Sequence, residues 1–130
     1  GKLLDDLLIE AGIDFQKDVY FCNVIKCRPP NNRKPTNQEI NIHKPWLMQQ
    51  IKLVDPKFII LTGSTAMRTI LEIKNPISKT RGKWFKKGGR EIITIFHPSY
   101  LLRFSSKEVK KPYDLTLKDL KNVSSKLYAL

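Results

Sequence analysis

Apolar positions along this chain recur with two different periods, and the switches between them divide it into elements. Leu3, Leu4, Leu7, Leu8 and Ala11 have helical spacing, and Gly12 is a natural stop. Val19 to Ile25 reads as a strand. Cys27 to Pro35 is expected to be a loop, because Pro29-Pro30, Asn31-Asn32 and Pro35 exclude regular structure. Thr36-Asn37-Gln38-Glu39 fits a capping box that opens a helix to about Val54, with Ile40, His43, Leu47, Gln50 and Ile51 near one stripe. Pro45 lies inside that pattern and predicts either a kink or a start nearer residue 44. Lys57 to Thr62 is a continuous apolar run, as in a parallel strand covered on both sides. Gly63-Ser64-Thr65 leads into a helix from Ala66 to about Ile73. Residues 74–90 are basic and Gly-containing, a loop or short hairpin. Glu91 to Phe96 is a third strand that ends at His97-Pro98, and Asp114 to Leu130 is a helix.

Strands alternating with helices predict an α/β fold with parallel strands and right-handed crossovers. With 130 residues, of which 41% are hydrophobic, the chain is expected to be one domain or part of one. It opens on Gly1-Lys2-Leu3-Leu4, already inside a helical pattern and without an initiator Met, so a longer parent protein is expected. No stretch approaches the roughly 20 apolar residues that span a bilayer.

Charge narrows the function. A formal net charge of +12 far exceeds what solubility needs, and a polyanion, most often nucleic acid, is the expected partner. Cys22 and Cys27 make no disulfide framework: within one strand they would lie roughly 16 Å apart and on opposite faces. A reducing, cytoplasmic setting is expected.

Two segments about seventy residues apart carry the chemistry, each where a strand gives way to a loop. Ligands of open α/β sheets bind at such carboxyl ends. In the first, the Asn23 amide can accept from uracil N3–H and donate to uracil O4, or it can bond to nearby backbone. In the second, the His97 imidazole can donate to a carbonyl oxygen that gains charge as a base departs, or it can be satisfied by backbone. Pro98 restricts His97 to extended geometry in either reading. Leu101, Leu102 and Arg103 could wedge into a base stack, or the leucines could pack in the core from a short helix. Arg81-Gly82-Lys83-Trp84 and Lys86-Lys87-Gly88-Gly89-Arg90 could contact phosphates or form a solvated hairpin tip.

The run Asn23-Val24-Ile25-Lys26-Cys27-Arg28-Pro29-Pro30-Asn31-Asn32-Arg33 resembles the family 4 uracil-DNA glycosylases. So do Pro35-Thr36, Glu39-Ile40, Pro45, Gln50-Ile51, Gly63, Ala66, Arg81-Gly82 and His97-Pro98-Ser99-Tyr100-Leu101-Leu102-Arg103. The resemblance covers nearly the whole chain. It implies an α/β/α three-layer sandwich around a central, mainly parallel sheet, as one domain over residues 1–130 that lacks its N-terminal part. It implies hydrolysis of the N-glycosidic bond of uracil in DNA, the start of base excision repair. Asn23 would read the base, His97 would stabilise the leaving uracil, and Arg81, Ser99, Leu101, Leu102 and Arg103 would contact DNA. The partner would be uracil-containing DNA, with no membrane, and the protein is expected to be a monomer.

The chain also departs from the family. The acidic Gly-rich loop of the first motif would precede residue 1. Members carry a 4Fe–4S cluster on four cysteines. Cys27 matches one, but sixteen positions later, where another should stand, is His43. Cys27 and His43 are thus candidate ligands of a cluster in the full-length protein, and the cluster is expected to be absent from this chain. His ligates iron in some Fe–S centres, so His43 reads either as a replacement ligand or as a mark of cluster loss. Cys22 reads as a small buried hydrophobe. The alternative function is a DNA-binding protein of the same fold that does not cleave. A basic RNA-binding or assembly module is a second rival.

Overall fold

The computed structural model describes residues 2–21, 36–103 and 111–129. Helix α1, Lys2–Glu10, turns Leu7 and Leu8 inward. Its end is closed by Gly12 N–H to Ile9 O (3.0 Å) and Ile13 N–H to Leu8 O (2.9 Å). A short helix α2, Phe15–Asp18, follows, its first turn capped by Asp14 accepting from Lys17 N–H at 3.2 Å. That helix was not expected. Val19 to Phe21, expected to begin a strand, belong to no helix or strand, and the rest of that segment lies outside the described residues.

Helix α3, Asn37–Val54, has both bonds of its capping box: Glu39 N–H to Thr36 Oγ1 (3.2 Å) and Thr36 N–H to Glu39 Oε1 (3.0 Å). Pro45 neither starts nor ends it. The residue is exposed, so the carbonyl that loses its helical N–H partner there lies toward solvent.

Strand β1, Phe58–Thr62, leads into α4, Ser64–Leu71. The segment 74–90, expected as a loop or short hairpin, contains α5, Ile77–Thr80, and the first arm of a hairpin, β2, Trp84–Lys87. The second arm is β3, Arg90–Ile95. Gly88 (φ 60°) and Gly89 (φ 79°) form its turn, a pair of left-handed positions that suits a two-residue hairpin loop. Helix α6, Pro98–Arg103, follows directly, and α7, Lys111–Leu127, ends the described fold.

The three strands form one sheet in the order β1-β3-β2. β1 pairs with β3 in parallel, Phe58 opposite Glu91 through Thr62 opposite Ile95. β2 pairs with β3 antiparallel, so the described sheet is mixed. Alternate residues of β3 serve different cores. Ile93 and Ile95 pack with Leu7, Leu8, Leu120 and Val123 of α1 and α7. Ile92 packs with Leu61, Ile70 and Leu47 of β1, α4 and α3. Helices therefore cover both faces of an α/β domain, and β3 runs through its middle. Helix α7 is tied to the sheet by Trp84 Nε1–H to Asn122 Oδ1 (3.2 Å) and by Lys126, which pairs with Glu91 and lies 4.4 Å from the Trp84 ring centre. Among the described residues, no helix is long and apolar enough to cross a membrane.

Candidate active site at the carboxyl ends of β1 and β3

Because β1 and β3 are parallel and in register, their carboxyl ends finish side by side. Gly63 N–H, one residue beyond β1, donates to Ile95 O at 2.9 Å. Gly63 has φ 93° and ψ 170°, a conformation essentially confined to glycine. A Cβ there would stand 3.1 Å from His97 Cβ and 3.3 Å from His97 Cδ2. The bare glycine thus lets the imidazole lie against the end of the neighbouring strand.

His97 leaves β3 and enters α6 through Pro98. Its ring is oriented locally. Ser99 N–H donates to His97 Nδ1 at 3.0 Å, and Ser99 Oγ lies 2.8 Å from the same nitrogen. An Nδ1 that accepts a backbone N–H carries no proton of its own. In the neutral ring the proton is therefore on Nε2, which becomes the donor. Behind it, buried Phe96 stacks on Tyr100 with ring centres 4.9 Å apart, and Tyr100 N–H donates to His97 O at 2.9 Å. His97 keeps an exposed edge, yet the packing of its ring removes enough water to push its pKa below the ordinary 6.5. The neutral ring thus carries its proton on Nε2, which makes no hydrogen bond among the described residues.

The other expected site residues are not all gathered here. Asn23 and Cys27 lie outside the described residues, as does the side chain of Arg103. Ser99 is at the site, but on His97. Leu101 is 5% exposed and belongs to the main core, whereas Leu102 is 64% exposed. Leu101 thus packs in the core from a short helix, one of the two readings of this segment, while Leu102 faces outward, since adjacent helical residues point about 100° apart.

Arg81, expected as a DNA contact, is engaged within the domain. Its Nε and Nη2 grip Asp119 of α7 at 2.9 and 2.5 Å, and Asp119 is 4% exposed. A guanidinium held bidentately by a buried carboxylate is occupied. The basic hairpin turn is likewise structural. Lys87 Nζ donates to Ile70 O (2.8 Å) at the end of α4, and Arg90 Nη1 donates to Asp55 Oδ1 (2.8 Å) and Pro56 O (2.7 Å). That turn is at the opposite end of β3 from His97, roughly 20 Å away along a six-residue strand.

His43 is half-buried on α3. Among the described residues, no three His, Cys, Asp or Glu side chains come together as a metal site. They do not by themselves fit a 4Fe–4S cluster.

A family model for the uracil DNA glycosylase superfamily matches residues 1–121. The chain belongs to the uracil DNA glycosylase superfamily. Within that superfamily it is similar to the Type-4 uracil-DNA glycosylase of Thermotoga maritima, 43% identical over 129 residues, covering 96% of this chain and 64% of the relative. The Type-4 uracil-DNA glycosylase of Archaeoglobus fulgidus is 37% identical over 112 residues, covering 78% of this chain and 55% of the relative. A DNA polymerase of Bacillus phage SP01 is 35% identical over 127 residues, covering 98% of this chain but only 13% of the polymerase. The chain thus spans less than two thirds of the length of each of these relatives.

Gly63 is the functional position that strand-and-helix patterning leaves without a role. It reads as a helix start, and only the parallel pairing brings it under His97. Ser99 could be placed on His97 by its separation of two residues across a proline, a spacing that suits a side-chain–backbone turn.

Proposed function

We propose that this domain hydrolyses the N-glycosidic bond between uracil and deoxyribose in DNA, releasing uracil and leaving an abasic site. The observation that carries the reading is the Ser99 N–H to His97 Nδ1 bond. It sets the imidazole as an Nε2–H donor at the carboxyl end of a central strand, in a chain of this superfamily. The names of its relatives, several of them Type-4 uracil-DNA glycosylases and one a DNA polymerase, support DNA as the substrate.

As the C1′–N1 bond breaks, its electron pair leaves with uracil, and the charge spreads to O2. A hydrogen bond from His97 Nε2–H to O2 strengthens as that charge grows, so it lowers the barrier rather than merely tightening binding. Water adds its oxygen to C1′ and keeps one hydrogen there as the new hydroxyl, while its other proton passes through solvent to the departing base. In this reading Asn23 selects uracil, its carboxamide oxygen accepting from N3–H and its NH2 donating to O4. Cytosine presents the opposite pattern at those two atoms. Leu102, with Arg103, would enter the base stack as the nucleotide leaves it.

The whole domain would be a three-layer α/β/α sandwich with a mainly parallel sheet over residues 1–130, acting as a monomer on uracil-containing DNA in the cytoplasm. Cys27 and His43 would be the ligands this chain offers to a 4Fe–4S cluster in the full-length protein, unless His43 marks its loss. The chemistry above rests on His97 and Asn23. Incubating the protein with a duplex holding one uracil, then treating with alkali, tests the activity. A strand break at uracil, and none where thymine replaces it, is expected. An intact uracil strand overturns the reading.

A further inference from the structure

A polar groove of about 630 Å³ lies between the first half of α3 and α4. It starts beside the proposed active site: Thr65, on its wall, is two residues beyond Gly63, which abuts His97. Asn37, Arg68 and Glu72 also border a second hollow of about 430 Å³, which continues to Ile73 and Lys74. The two hollows form one channel running down α4 away from the site.

Lys44, Arg68 and Lys74 line this channel with one carboxylate, Glu72, and Lys87 reaches that carboxylate from outside the lining. Lys44 donates to Glu72 at 2.9 Å, and Lys87 stands 3.9 Å from the same carboxyl group. Glu72 is thereby matched. Arg68 is exposed and makes no side-chain hydrogen bond or ion pair among the described residues. It contrasts with Arg81 and Arg90, whose guanidinium groups are both held by carboxylates. The remaining lining near Arg68 is rich in hydrogen-bonding side chains, with Asn37 and Asn41 on one wall and Thr65 on the other.

We propose that this channel seats the phosphodiester backbone of a DNA strand beside the target nucleotide, with Arg68 as its principal phosphate contact. A polymer fits better than a small free anion because two hollows that share Asn37, Arg68 and Glu72 extend the site along α4. From Thr65 to the end of α4 at Leu71 the wall extends about 9 Å at helical rise, longer than a single phosphate group. A guanidinium offers two parallel donors to a phosphate, which a solvated lysine cannot. The inference rests on the reading that the substrate is DNA, but not on cleavage.

The test is binding of a uracil-free duplex by the full-length protein across a salt series, for wild type, Arg68→Gln and Arg68→Lys. Gln is a good helix former at an exposed position, so the fold is retained. The slope of log K against log salt is expected to fall by about 0.9 in Arg68→Gln and to be kept in Arg68→Lys. A wild-type slope in Arg68→Gln overturns the proposal. Uracil excision by the wild type, measured in parallel, separates the two readings. Excision with an unchanged slope removes the channel and leaves the glycosylase. A reduced slope without any excision removes the glycosylase and leaves the channel.

Discussion

Gly63 and His97 touch across the ends of two parallel strands, and the contact exists because Gly63 has no side chain. A Cβ would come within 3.1 Å of His97 Cβ, on a backbone with φ 93°. Gly63→Ala is therefore expected to act twice. It should cost about 1–3 kcal/mol of stability through backbone strain. It should also push the imidazole off its axis and lower uracil excision at least tenfold, a loss greater than the stability change explains. Thermal unfolding and single-turnover excision, measured on the same protein, check the two effects separately.

In the proposed reaction, His97→Ala removes one hydrogen-bond donor to the leaving base. A loss of about 10²–10³ in the cleavage rate is expected, with DNA affinity much less affected. Equal rates in the two proteins would remove His97 from the mechanism.

The ring's pH response has a definite sign. Desolvation lowers the folded pKa beneath the ordinary 6.5. The unfolded chain therefore binds the proton first as pH falls. The His97 contribution to stability is complete above about 6.5 and is lost as pH drops through the folded pKa, below which it levels off. Protonation also forces Nδ1 to give up the Ser99 N–H bond. Excision should be level around neutral pH and fall on acidification, and the midpoint should lie below 6.5 in a pH–rate profile.

Arg81 and Asp119 join the segment before β2 to α7. Arg81→Ala leaves a carboxylate that is 4% exposed without its partner, at a cost of about 3 kcal/mol. Replacing both residues by leucine should recover part of that loss. Since the guanidinium is already occupied, the salt dependence of DNA binding should not change in Arg81→Ala. Chemical denaturation and a salt titration together test this assignment.

Thr94 is fully buried on β3, and its hydroxyl finds no hydrogen-bond partner among the described residues. Thr94→Val keeps the shape and removes the unpaired oxygen. A gain of about 1 kcal/mol is expected, read as a higher denaturation midpoint at unchanged m-value.

Local signals in the sequence were dependable. The Thr36–Glu39 capping box, the apolar run of β1 and the Gly88–Gly89 turn each depend on neighbours a few residues apart, and each is present. Features that depend on distant partners were not legible. Arg81 reads as a surface cation because Asp119 lies 38 positions away. Leu101 and Leu102 look alike until the direction of α6 decides which meets the core. The pairing of a hairpin with a parallel crossover, which makes the sheet mixed, depends on where β2 docks, and no periodicity within β2 specifies that. At the site, His97 stood out by its place at a strand end, while the role of Gly63 required knowing which strand lies beside it.

The strand order β1-β3-β2 also has a kinetic consequence. Strand β3 is hydrogen-bonded on both edges and packed on both faces, so its amides should exchange with solvent only when the whole domain opens. His97 is two residues beyond that strand. Fraying of α1 or of the hairpin turn would leave it in place. The imidazole is thus anchored to the part of the molecule that opens last, and damage to the periphery should leave the ring's placement intact.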